Sequence, residues 1–149
     1  MYKIILMVVV LSQGIPIAIA SDKTYVGTFA CRECHQDQYD SFMAYSKKAT
    51  TFSDIKKMEN KLTPEEYREC FKCHTTGYGQ QGGFISETQT PDLKNPGCEA
   101  CHGPGSLHVE TQDTDDIVRT MAMEDCRECH NADRIKDFDF RPLLYSGGH

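Results

Sequence analysis

The hydrophobic and polar positions of this chain separate a short apolar N-terminal stretch from a long remainder with few extended apolar runs. Residues 4–11 form the apolar stretch without interruption. Two later segments, residues 36–48 and 114–125, show the spacing of one helix face and predict helices. Their helical positions are Tyr39, Phe42, Met43 and Ser46 in the first segment, and Ile117, Val118, Met121 and Met123 in the second. No β-strand is predicted.

A third helix is predicted from its start signals. Thr63 is suited to the N-cap, Pro64 to the first helical position, and Glu66 to the third position of a capping box. Residues 75–97, which follow this helix, are rich in Gly, Pro, Thr and Gln and predict a long loop. Loops of this length in a compact domain usually line a functional site.

One five-residue pattern, Cys-x-x-Cys-His, occurs four times and uses all eight cysteines. The pattern is the attachment motif of c-type haem, in which both thiols bond to the porphyrin and the histidine binds the iron. It therefore predicts four haem c groups with four proximal histidines. The thiols are Cys31, Cys34, Cys70, Cys73, Cys98, Cys101, Cys126 and Cys129, and the histidines are His35, His74, His102 and His130.

Two other uses of paired cysteines are weaker explanations. Eight thiolates could form two four-cysteine zinc sites, but zinc sites do not require a histidine after every second cysteine. A disulfide framework would explain the even number of cysteines in an exported chain, but not the four histidines. Haem attachment explains both.

The N-terminus predicts export. Lys3 precedes the apolar run, and the small residues Ala18-Ile19-Ala20 then form a cleavage site, so that residues 1–20 are a signal peptide and Ser21 the first mature residue. An uncleaved anchor, which would bring membrane contact, is the alternative. Residues 21–149 then form one tetrahaem domain in the periplasm or at the cell surface.

Charge and size limit the partners and the architecture. The full chain has a formal charge of −6, and loss of residues 1–20 removes only Lys3 and leaves −7. Such a chain is unsuited to nucleic acid, whereas a basic redox protein is a plausible partner. Since 129 residues cannot enclose four porphyrins and also build a separate core, the expected fold is mainly α with extensive loops around the haems.

The histidines are too few for four six-coordinate haems. Eight axial ligands would be needed, and the chain has six histidines. Besides the four proximal ones, only His108 and His149 are available, and both are candidate distal ligands. His108 follows Gly103-Pro104-Gly105, a tight segment directly after the third motif. At least two haem faces must therefore be open or bound by another residue.

The central sequence resembles a known family of tetrahaem cytochromes c, typified by the electron acceptor of hydroxylamine oxidoreductase in nitrifying bacteria. The resemblance extends over the mature chain and is most specific in two blocks. These are Cys70-Phe71-Lys72-Cys73-His74-Thr75-Thr76-Gly77-Tyr78-Gly79 with Gly82-Gly83-Phe84, and Gly97-Cys98-Glu99-Ala100-Cys101-His102-Gly103-Pro104-Gly105-Ser106-Leu107-His108. Phe138-Asp139-Phe140 and the terminal His149 extend it further.

The resemblance implies a mainly α fold around closely packed haems, with His108 and His149 as distal ligands and an open iron at the second haem. The family places a further distal histidine about a dozen residues after the first motif, where this chain has Lys47 and Lys48. A neutral lysine amine can bind iron if burial favours loss of its proton. The alternative is that both lysines are ordinary surface residues and a second haem is open.

The expected function is electron transfer outside the cytoplasm between redox proteins, without catalysis. Two alternatives stay open at this point. An open haem could bind or convert a small nitrogen oxide or peroxide, although no distal catalytic cluster is evident in the sequence. The subunits could also assemble as homo-oligomers or as an extracellular filament, with His149 reaching a neighbour.

Overall fold

Short helices joined by turns and loops make up the fold. A computed structural model describes residues 23–131, and within this range there is no β-strand, which confirms the mainly α prediction. The predicted signal peptide and His149 lie outside the described residues. The α-helices are α1 (Thr28–Cys31), α2 (Gln36–Tyr45), α3 (Phe52–Lys56), α4 (Pro64–His74), α5 (Glu99–His102), α6 (Ser106–Thr111) and α7 (Met123–Arg127). Single 3-10 turns occur at Lys47–Thr50, Glu59–Lys61, Pro91–Leu93 and Thr114–Asp116.

Helix α4 begins as predicted. The Thr63 hydroxyl accepts a hydrogen bond from the Glu66 amide at 3.3 Å, and the Glu66 carboxylate accepts one from the Thr63 amide at 2.9 Å. Pro64 occupies the first turn, where its missing N–H has no cost. The helix then continues through the second Cys-x-x-Cys-His motif, so the capping box fixes where that motif begins.

Thr63→Ala is expected to lower the free energy of unfolding by about 1 kcal/mol, because it removes the N-cap acceptor. Thr63 is exposed, so lost packing adds little to the effect. Urea unfolding of the purified protein, followed by far-UV circular dichroism, measures the change. Thr120→Ala, at an exposed threonine outside any helix, is the matched control and should leave the midpoint unchanged. Equal midpoints for both variants would contradict the capping account.

The apolar core is small and lies beside α4. Phe71 is its centre: ring centroids of Tyr67, Tyr78 and Phe84 lie 5.0, 5.3 and 5.3 Å from it, in edge-to-face contacts. The buried members of this cluster are Phe52, Ile55, Tyr67, Phe71, Phe84 and Leu93. Elsewhere in residues 23–131 the buried apolar side chains are Phe42 and Ala49. The helices of the first, third and fourth motifs therefore have few buried apolar side chains beside them.

The predicted loop at residues 75–97 is present and is held by Thr76, which is 2% exposed. The Thr76 hydroxyl donates to the Asn95 carbonyl at 2.7 Å and accepts from the Gly97 amide at 2.9 Å. Its backbone also pairs with Leu93 and Phe84, each at 2.9 Å. One buried threonine thus ties both ends of the loop together and sets the entry into the third motif.

The predicted helix at residues 114–125 is wrong over most of its length. Ile117 and Ala122 have extended backbone angles, and helix begins only at Met123. The cause is a tertiary contact: the Val118 amide donates to the His102 carbonyl at 3.1 Å, and the Val118 carbonyl accepts from the His102 ring at 2.6 Å. These bonds hold the segment extended against the third motif.

The predicted helix at residues 36–48 is confirmed as far as Tyr45. It ends there because Ser46 is extended, and Lys47 and Lys48 lie in the following 3-10 turn. Among residues 23–131 none of the helices has both the length and the apolarity needed to cross a bilayer.

Candidate functional site

Each Cys-x-x-Cys-His motif overlaps an α-helix. In three motifs the histidine amide donates to the carbonyl of the first cysteine, at 2.9 Å for His35, 3.0 Å for His102 and 2.9 Å for His130. The second motif forms the last turn of α4. One helical turn places residues i and i+3 on the same face, so both thiols and the histidine of a motif can face one planar ligand.

The state of the thiols fits covalent attachment. None of the eight cysteines is in a disulfide, and each is at least partly exposed. Within residues 23–131, no group of three or more His, Cys, Asp or Glu side chains is arranged to hold a metal ion.

The rings of His35 and His108 lie near each other and are nearly parallel. Their ring centroids are 6.2 Å apart and their planes differ by 23°. A metal–imidazole bond is about 2.0 Å, so with roughly 1.1 Å from nitrogen to ring centre, two imidazoles on one metal have centroids about 6.2 Å apart. The observed separation matches that spacing, and with Nε2 of both rings turned to one iron these two residues would hold a single haem. We call these residues the His35–His108 pair.

Hydrogen bonds set the orientation of the other ring nitrogen in three histidines. His102 Nδ1 lies 2.6 Å from the Val118 carbonyl, and His108 Nδ1 lies 2.7 Å from the Asp113 carbonyl. Since a carbonyl only accepts, Nδ1 carries the proton in both, and Nε2 is the nitrogen suited to bind iron. His74 Nδ1 lies 2.9 Å from the Thr51 hydroxyl, which can support the same arrangement.

Cysteines of different motifs meet in pairs. The Cys31 thiol hydrogen-bonds with Cys98, which raises the pKa of Cys31 and lowers the pKa of Cys98 to about 7. Burial raises the pKa of Cys129 to about 12, and the neighbouring Cys73 adds to the rise. The first motif therefore adjoins the third, and the second adjoins the fourth.

The third and fourth motifs are also neighbours. The pKa of Cys101 is raised, first by desolvation, and Cys126 is among the nearby groups that add to it. Taken with the two thiol pairs, this proximity links the first motif to the third, the third to the fourth, and the fourth to the second. The order along the chain is therefore not the order in space.

The structure separates the two lysines. Lys48 is half-buried and its charge reaches the fourth motif: burial lowers the pKa of His130, and the Lys48 ammonium lowers it further. Lys47 is exposed. It lies near Asp54, whose pKa is lowered first by its hydrogen bond with Lys57 and to a smaller extent by Lys47. Of the two lysines, Lys48 is the one whose charge acts on the pKa of a haem-binding histidine, His130.

Sequence reasoning missed Glu99, the first residue between the cysteines of the third motif. Glu33 and Glu128, in the first and fourth motifs, are exposed as expected, whereas Glu99 is buried. The neighbouring glycines are the sequence feature that could have indicated this burial, because they leave backbone N–H groups accessible to a buried carboxylate. The predicted distal ligand His149 is outside the described residues and stays a prediction.

Comparison with known proteins agrees with this geometry. The sequence model of the family described as "Cytochrome c554 and c-prime" matches residues 30–103. "Cytochrome c-554" of Nitrosomonas europaea is 36% identical over 98 residues, which cover 59% of this chain and 42% of the relative. The chain therefore matches less than half of that protein's length. No solved structure gives a significant match. Residues 30–103, which contain three of the four haem-attachment motifs, are similar to the family of cytochromes c554 and c-prime.

Proposed function

We propose that this chain is an exported tetrahaem cytochrome c that passes single electrons between redox protein partners. The observation that carries the proposal is the His35–His108 pair, whose 6.2 Å ring separation matches the spacing of two imidazoles on one metal. A haem with two strong axial ligands exchanges electrons and does not bind small molecules. When bound, each haem supplies a one-electron iron couple, and the protein supplies its ligands, burial and spacing.

The cysteines and histidines of each motif have separate proposed roles in holding one haem. Each cysteine pair fixes one porphyrin, and His35, His74, His102 and His130 serve as proximal ligands. His108 closes the first iron. His149, which lies outside the described residues, is proposed to close one of the other irons. The second iron is proposed to be open, as the family resemblance implies.

The neighbouring cysteines of different motifs support a continuous row of the four attachment sites. Cys31 meets Cys98, Cys101 lies near Cys126, and Cys73 meets Cys129. Single electrons move efficiently only between closely spaced centres, so a row with contacts at every junction suits transfer from one end to the other. The first and second sites are the two ends, where partners would dock.

Location and partners follow from the sequence and the described surface. The proposed mature chain, residues 21–149, has a formal charge of −7. An acidic surface accelerates encounter with a basic redox partner and makes that encounter sensitive to salt. Export agrees with covalent haem attachment, and we place the protein in the periplasm.

Lys48→Ala is expected to alter the spectrum of one haem, whereas Lys47→Ala is not. Lys48 is half-buried beside His130, and we propose its amine as the sixth ligand of the fourth iron. Loss of that ligand should add one high-spin ferric signal per chain in low-temperature EPR. The exposed Lys47 is the matched control. Identical wild-type spectra for both variants would show that neither lysine binds iron.

A potentiometric titration of the purified holoprotein tests the proposed function. We expect four electrons per chain over a broad range of potentials, and no turnover of nitrite, hydroxylamine, nitric oxide or peroxide above the rate of free haem. Uptake of fewer than four electrons would contradict the tetrahaem carrier. Sustained turnover of any of these molecules would instead establish the open haem as a catalytic site.

A further inference from the structure

Glu99 is a buried carboxylate within a haem-attachment motif, and it is only 2% exposed. None of the ion pairs among residues 23–131 involves it. A buried charge without a cation is costly unless hydrogen bonds replace its lost hydration. The burial of the Glu99 carboxylate therefore needs a physical explanation.

Backbone amides from two separate segments provide the hydrogen bonds. Oε2 accepts from Gly27 at 2.7 Å, and Oε1 accepts from Gly105 at 2.7 Å and from Val26 at 3.0 Å. Amides can only donate, so these contacts match an ionised carboxylate, which only accepts. One side chain thus joins the segment before the first motif to the turn after the third.

The bond to Gly105 fixes the start of the helix that contains His108. Gly105 immediately precedes helix α6, and His108 lies three residues later, about one turn along. A Cβ at Gly105 would approach Glu99 Oε1 to 3.2 Å, so the packing is close. A second contact strengthens the junction, because the Thr24 amide donates to the Ser106 hydroxyl at 2.8 Å.

The same carboxylate also lies close to two haem attachment points. It is adjacent to Cys98 in sequence, and Cys98 contacts Cys31 of the first motif. A fixed negative charge in a poorly solvated site favours the more positive state of a nearby centre. Here that state is ferric iron, so the charge should lower the reduction potential.

We propose that Glu99 is a positioning residue that holds His108 opposite His35 and lowers the potential of the adjacent haems through its buried charge. The inference rests on the proposed function, since it assumes haem iron between His35 and His108. One carboxylate would then both position the distal ligand of the first iron and lower the reduction potential of that iron.

Glu99→Gln in the holoprotein tests the proposal. The amide keeps the size of the side chain but removes the charge and turns one acceptor into a donor facing backbone amides. We expect at least a tenfold fall in the ferric-to-ferrous ratio of one haem at fixed potential, about 59 mV for one electron. We also expect partial loss of one low-spin EPR signal, with CO binding by the reduced protein.

Two further variants separate charge from position. Glu33→Gln, an exposed glutamate in the first motif, removes the same charge and should leave potentials and ligation unchanged. Gly105→Ala keeps the Glu99 charge but crowds Oε1, and should open the same haem. Wild-type potentials and a wild-type EPR spectrum in Glu99→Gln would overturn the proposal, as would equal effects in Glu33→Gln.

The remaining outcomes are also decisive. If Glu99→Gln gives no folded protein, the test of the positioning role is Gly105→Ala. Retention of every low-spin haem in Gly105→Ala would overturn that role. The wild-type spectrum is recorded first. If it lacks a bis-histidine signal, the proposed function fails, whereas a wild-type signal unaffected by Glu99→Gln refutes only the role of Glu99.

Discussion

Replacing His108 by alanine is expected to convert one low-spin haem into a high-spin haem that binds CO when reduced. The reason is the 6.2 Å separation of the His35 and His108 rings, which leaves room for one iron between them. The midpoint potential of that haem should rise on the order of 100 mV, within the about 0.8 V range that axial ligands control. Low-temperature EPR and a potentiometric titration measure the two effects.

The neighbouring residue provides the control for this result. Val109 is on the same helix and 48% exposed, so Val109→Ala changes α6 without removing a ligand. It should retain every low-spin signal of the wild type. Unchanged spin state and potentials in His108→Ala would show that His108 does not bind iron, and would remove the observation on which the proposed function depends.

Loss of the fourth haem is expected to isolate the second haem from the other two. In the proposed row, the second site contacts the rest through Cys73 and Cys129. The double variant Cys126→Ser with Cys129→Ser removes the junction. The second haem, proposed to be open, allows the test: a laser flash releases CO from it in mixed-valence protein, and its electron then moves to oxidised neighbours.

In the wild type this redistribution should be a fast absorbance phase, and in the double variant it should disappear. Cys31→Ser with Cys34→Ser is the matched control, because it removes the first haem, at the other end of the row. Intact mass confirms three haems in each variant before comparison. A fast phase that survives loss of the fourth haem would contradict the spatial order, and absence of CO binding in the wild type would contradict an open second haem.

The features that depend on local chemistry could be predicted from the sequence. The Cys-x-x-Cys-His pattern identifies its ligand because the covalent chemistry needs those residues at that spacing. The start of α4 follows from Thr63 and Glu66, whose hydrogen bonds span only three residues. The similarity of residues 30–103 to the family model agrees with the resemblance over most of the two central blocks.

The features that depend on distant contacts could not be predicted. Residues 117–122 have helical spacing, yet Val118 pairs with His102, and this bond outweighs the local pattern. Lys47 and Lys48 are adjacent in sequence, and only the 3-10 turn decides which of them is half-buried. Glu99 is the same residue type as the exposed glutamates of the first and fourth motifs. Its burial depends on hydrogen bonds with a segment more than 70 residues earlier in the chain.

Intact mass spectrometry of the purified protein under denaturing conditions tests the central claim most directly. Haem bound through thioether bonds survives unfolding, whereas zinc and non-covalent ligands are lost. The account predicts a chain beginning at Ser21 with the added mass of four haems. A mass equal to the polypeptide alone, or to fewer than four haems on eight cysteines, would contradict it.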